Sequence, residues 1–136
     1  MQINVSYNPN VSAPPTAVTD AINYVVNLYD NMFTNNISIN ILVKFGALNG
    51  PAASTVPGTA HTFNFGSVVG ALEANLVPGT ALPIVDPTGG AGFEMATAEG
   101  KALGLLPAFN GLDGKVTFAS DLVFDYGISG STAASS

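Results

Sequence analysis

The chain contains no cysteine and no arginine. Without cysteine it has no disulfide, no thiol catalysis and no thiolate metal site. Only 3 residues are basic, against 9 acidic, for a net charge of -6. Little is available to neutralise phosphates, which argues against nucleic acid as a partner. The same balance disfavours docking to an anionic membrane. Long apolar runs are missing too. The best, residues 37–48, is broken by Ser38, Asn40 and Lys44. It falls short of the roughly 20 residues of a spanning helix, so no membrane insertion is expected. Met1-Gln2-Ile3-Asn4-Val5 alternates like a strand and lacks the basic start of a signal peptide. A cytoplasmic chain, a removed leader and an export signal elsewhere are all compatible with that. Only 9% of residues are charged, so Asn, Ser, Thr and Gly must carry the solubility. This composition points to an exported bacterial protein, secreted or at the cell surface.

What is present suits one domain. The 136 residues are 47% hydrophobic. A chain of this length buries roughly 65–70% of its unfolded surface, enough for a real core. Residues 16–49 organise it. Val18, Ile22, Val25, Tyr29 and Met32 recur at alternating spacings of four and three, with Asp20, Asn23, Asn27 and Asp30 opposite. This predicts a core-facing helix over about residues 15–33. Thr34-Asn35-Asn36 then turns the chain into a long, buried, central strand with Ile37, Ile39, Ile41 and Val43 on one face. Ile3, Val5 and Tyr7 predict a half-buried strand before the helix, ended by Asn8-Pro9-Asn10. A parallel strand–helix–strand crossover follows from those lengths.

The rest reads as shorter pieces. Residues 46–62 are rich in Gly, Pro, Ala, Ser and Thr and predict a long loop closed by His61. A short helix is expected over 67–76, a loop over 83–92, and a third helix capped by Thr97 and stopped by Gly104. Residues 115–126 alternate, with Ala119-Ser120 as a bulge or a turn between two short strands. The expected class is therefore α+β: a small, twisted mixed sheet backed by one long helix, with two short helices. Residues 1–126 form a single unit, and 127–136 a flexible polar tail.

Residues for chemistry are few. His61 is the single histidine, too little for a zinc site of ordinary ligand spacing. A Ser-His-Asp hydrolase would need His61 as base, but no G-x-S-x-G elbow exists. Asp121 and Asp125 lie four apart on an expected strand, hence on one face, where a solvated surface is the ordinary role. Asp86-Pro87-Thr88-Gly89-Gly90 lacks the lysine of a phosphate loop. Asp86 and Thr88 offer oxygen donors to calcium, with a plain turn as the default. Asn-x-Ser sequons at Asn4, Asn10 and Asn36 fit chance in a chain this rich in both residues.

Taken in order, several segments resemble one family. They are Ile3-Asn4-Val5-Ser6-Tyr7, the long helix, and Phe33-Thr34-Asn35-Asn36-Ile37-Ser38-Ile39-Asn40-Ile41. They continue with Leu82-Pro83-Ile84-Val85-Asp86-Pro87-Thr88-Gly89-Gly90, Thr97-Ala98-Glu99-Gly100-Lys101-Ala102-Leu103-Gly104-Leu105, Val116-Thr117-Phe118 and Phe124-Asp125-Tyr126. Together they resemble the start of secreted bacterial zincin-like metalloproteases. The resemblance implies an N-terminal sheet backed by a helix, followed after Phe124-Asp125-Tyr126 by the H-E-x-x-H helix that holds zinc. No H-E-x-x-H occurs among these residues, so no catalytic, cofactor-binding or metal residue carries over. Two readings follow. In one, this is a truncated or degenerate N-terminal subdomain, a scaffold and cleft wall without the metal site. Zinc and a peptide or protein substrate would then belong only to a full-length form. In the other, it is a complete small secreted or surface module that binds or builds and has no enzymatic activity. The first reading also predicts an apolar patch at Leu122, Phe124 and Tyr126, with self-association or pairing with the C-terminal part.

Overall fold

The computed structural model describes residues 1–8 and 14–125. Parts of the expected Asn8-Pro9-Asn10 turn, Tyr126 and the expected tail lie outside them. The elements run β1 (Gln2–Tyr7), α1 (Thr16–Met32), β2 (Ser38–Gly46), β3 (Ala53–Pro57), β4 (Ala60–Phe63), α2 (Phe65–Glu73), β5 (Phe93–Ala96), α3 (Thr97–Ala102) and β6 (Gly114–Ala119). The class is α+β, as expected. Four strands form a mixed sheet in the order β1-β2-β6-β3, and β4 pairs separately with β5. Among the described residues no helix is long and apolar enough to cross a membrane.

β1 and β2 are parallel, because α1 carries the chain back between them. β6 joins β2 in parallel, and β3 closes that edge antiparallel to β6. The register aligns Ile3 with Ile39, Val5 with Ile41, and Tyr7 with Val43. It then aligns Val43 with Val116 and Phe45 with Phe118. Alternation of side chains turns those rows into one apolar face across three strands. Val43, at its centre, is buried, and the rings of Phe45 and Phe118 stack 5.8 Å apart. β2 is thus a central strand, as its apolar pattern predicts.

α1 lies over that face. Pro15 precedes its first turn in an extended conformation, and the Phe33 amide closes its last turn on the Tyr29 carbonyl. Asp30 ties it to the sheet by accepting a hydrogen bond from the Ile3 amide, 3.0 Å. The helix is not the fully core-facing element its periodicity predicts. Only Val18 is buried; Val25 is 48% exposed and Met32 63%. Ile22, Val25, Val26 and Tyr29 point toward Val43 and Phe118 across an unfilled groove of about 410 Å³. Close packing requires facing atoms in contact, and here the described side chains do not reach.

The structure overturns further expectations. Residues 46–62 are not one long loop, since β3 and β4 occupy most of them. β3 is exposed at every position, so it carries no hydrophobic alternation to betray it; backbone pairing with β6 holds it. Its Pro57 stands at the end of an edge strand, where a missing donor is tolerated. The second helix starts earlier than expected, at Phe65, because Asn64 accepts a hydrogen bond from the Ser67 amide, 2.8 Å, as a side-chain cap. Residues 121–125 are not a strand: the ladder with β2 ends where the Ser120 amide bonds the Gly46 carbonyl.

α3 begins at Thr97 rather than being capped by it. The Glu99 carboxylate turns back to accept from the Ala96 amide, 2.8 Å. Gly104 stops it as expected: its φ of 72° is a left-handed conformation that side chains resist.

Candidate functional site

The most elaborate polar arrangement surrounds Lys101 and Asp113. Lys101 projects from the end of α3, and Asp113 immediately precedes β6. Their Nζ and Oδ2 atoms are 2.7 Å apart, with side chains only 2% and 0% exposed. An ammonium has three donors. Lys101 gives one to Asp113 Oδ2, one to the Ser38 carbonyl at 3.2 Å and one to the Phe109 carbonyl at 3.3 Å. The Phe109 ring lies 4.2 Å from Nζ. Asp113 in turn clasps β2. Its Oδ2 accepts from the Asn40 amide, and its own amide donates to the Asn40 carbonyl, each at 2.8 Å.

The Asp113 carbonyl also accepts from the Gly58 amide, 2.8 Å. Beside it the buried Thr97 hydroxyl donates to the Thr59 carbonyl, 3.0 Å. One ion pair therefore joins α3, β2, the loop before β6 and the β3–β4 connection. Because every ammonium donor is engaged, Lys101 is held as an anchor rather than presented as a nucleophile. No periodic signal marks this pair. A lysine in a short, small-residue helix and an aspartate in a turn become partners only through the fold.

Gly58 is required by this node. A Cβ there would lie 2.8 Å from both the Asp113 carbonyl oxygen and the Thr97 hydroxyl. Gly58→Ala is expected to cost about 1–3 kcal/mol through overpacking. A urea denaturation midpoint that stays at the parent value would contradict this contact.

The residues singled out for chemistry do not converge. His61 sits on β4 opposite Met95, not in a loop, and its ring is tilted against Phe63 at 6.3 Å. Asp121 and Asp125 share no strand face, because that strand is absent. Asp121 Oδ1 accepts from the Leu48 amide at 3.4 Å, and Asp125 borders a recess with Phe124 at the first turns of α1. Among the described residues no three His, Asp or Glu side chains gather as metal ligands.

Asp86 is turned on its own loop. Oδ1 accepts from the Thr88 hydroxyl at 2.6 Å and the Thr88 amide at 2.8 Å, while Oδ2 accepts from the Gly90 amide at 3.1 Å. These bonds, the Thr88 hydroxyl first, hold its carboxyl below the usual aspartate value. A lowered native pKa contributes stability above the unfolded pKa, and that stability is lost as pH falls through the native one. Thr88→Val is expected to move the Asp86 midpoint upward in a carboxyl NMR titration. An unchanged midpoint would show that the hydroxyl is not the cause.

Recesses among the described residues open on the apolar face of the sheet. The first is the 410 Å³ groove under α1. A second, of about 270 Å³, opens from it between Val18, Ala21, Ile22, Phe118 and Phe124. A third, of about 500 Å³, lies toward β3 between Ile39, Ile41, Thr55, Pro57, Ala98 and Asp113. The first two linings are almost wholly apolar, and the third adds Lys115 and Asp113, whose carboxylate is already engaged by Lys101. No protein-family profile matches the chain, and no curated protein or solved structure shows significant similarity to it.

Proposed function

We propose that these residues are the N-terminal subdomain of a secreted bacterial zincin-like metalloprotease, forming its scaffold and cleft wall without its metal site. The observation that carries this reading is the apolar face left open among the described residues. A mixed sheet and its backing helix leave a groove of about 410 Å³ between them. Tyr24, Leu28, Met32 and Phe33 of the same helix region are also exposed. Exposed apolar surface of this extent is where further protein packs. The ordered run of segments from Ile3 to Phe124 that resembles this family supports the same reading.

The edge of the sheet suits a cleft wall. β3 lies at the end of the strand order, paired only with β6 among the described residues. Its other edge can take an extended peptide by strand addition. In this reading the subdomain orients substrate, and zinc chemistry comes from an H-E-x-x-H helix of the full-length protein.

Purified chain should contain no stoichiometric zinc by elemental analysis and should show no chelator-sensitive hydrolysis of casein. Either signal, traced to this chain, would overturn the assignment.

A further inference from the structure

We propose that the face of the sheet opposite α1, carrying Lys44 and Lys115, docks an extended acidic segment of a second protein. Charge is the first reason. The chain has 3 basic residues against 9 acidic ones. All the basic residues are lysines, and Lys101 is buried in its pair with Asp113. Lys44 and Lys115 are left to act outward. Both are partly exposed, and neither has an ion-pair partner among the described residues.

The fold brings these two together. Leu42 of β2 lies opposite Lys115 of β6, and Lys44 lies opposite Thr117. Alternation puts these four side chains on one face, away from the row of Val43 and Phe118 beneath α1. Lys115 alternates with Val116, so its side chain leaves on this face although its strand borders the third recess. Ser6 of β1 and Ser54 of β3 continue the face to both edges. None of the acidic residues falls in the four strands of this sheet. A chain of net charge -6 thus presents one sheet face that is positive and lined with hydroxyls.

Spacing selects the occupant. Lys44 and Lys115 stand two residues apart along the strands and one strand apart across them, so their Cα atoms are about 8 Å apart. Alternate side chains of an extended peptide project to one side about 7 Å apart. Two carboxylates in an acidic-x-acidic pattern can therefore meet both ammonium groups at once. Nucleic acid fits less well: a polyanion with one charge per roughly 1.7 Å needs more than two cations, and the acidic chain repels it. The inference goes beyond the proposed function and stands without it, because that reading rests on the other face of the sheet.

NMR titration of the full chain with a blocked peptide of alternating glutamate and serine tests it. Amide shifts should centre on residues 42–44 and 115–117. They should shrink as ionic strength rises from about 0.02 to about 0.3 M, because exposed charges are screened. The same peptide with glutamine for glutamate should give none. Lys44→Gln with Lys115→Gln should weaken binding at least about fivefold, as the loss of two exposed ion pairs implies. Lys44→Arg with Lys115→Arg should retain it. Both lysines are partly exposed, so these variants should keep the dispersed spectrum of the parent. If they do not, the salt and glutamine-peptide results on the parent chain decide. Absent shifts, shifts centred on α1, equal binding of the glutamine peptide or unchanged binding by a folded double-glutamine variant would each overturn the proposal. So would tighter binding of a single-stranded oligothymidine, or concentration-dependent shifts of the same amides without peptide, which would make a second copy the occupant.

Discussion

Lys101→Met is expected to destabilise the fold by about 3–5 kcal/mol, because it leaves the buried Asp113 carboxylate without its counter-charge. Asp113 Oδ1 already has no hydrogen-bond partner among the described residues, so little remains to compensate. The Ser38 and Phe109 carbonyls would lose their donor as well. A change of this size lowers the melting temperature of a domain this small by roughly 10–20 °C. Removing both charges should behave differently. Lys101→Met with Asp113→Leu should recover most of the loss, since a buried ion pair costs desolvation that an apolar pair avoids. Calorimetry of the two variants checks both statements. A single mutant as stable as the parent would show that the pair does not hold these elements together.

Phe118→Ala is expected to cost about 3 kcal/mol, the low end of the range for a large-to-small core change. Phe118 stacks on Phe45 at 5.8 Å and receives Phe124 edge-on at 6.2 Å. It also borders the groove under α1, so its ring has fewer neighbours than a fully enclosed one. The loss should therefore be smaller than for an enclosed phenylalanine. Equilibrium denaturation gives the value; a cost below about 1 kcal/mol would mean that this row of rings is not part of the core.

The elements legible in the sequence are those with a one-dimensional signature. β1, α1 and β2 declare themselves by period and turn residues, and the parallel β1–β2 pairing follows from their lengths. Gly104 marks the end of α3 for the same local reason. β3 has no such signature, because an exposed edge strand is defined by its partner rather than by its own side chains. The start of α2 is not legible in the sequence because the cap at Asn64 precedes any apolar periodicity. The alternation of Leu122 and Phe124 suggested a strand, but a ladder needs a neighbour, and β2 has ended by then. The expected patch there is divided: Leu122 and Val123 are exposed, Phe124 turns in on Phe118, and Tyr126 lies outside the described residues. The Lys101–Asp113 node joins residues twelve apart to a strand more than sixty positions earlier, and no spacing rule reaches that.

The depth of burial was also hidden. A stripe such as Val18, Ile22, Val25, Tyr29 and Met32 states which face of a helix is apolar, not whether anything covers it. Among the described residues much of it is exposed, and the proposed scaffold role rests on that surface.

The coding sequence downstream of the Ser136 codon tests that role most directly. A scaffold half of a zincin-like metalloprotease predicts an H-E-x-x-H motif, in frame and shortly after that codon. A stop codon in its place, or an open frame without the motif, would contradict the assignment.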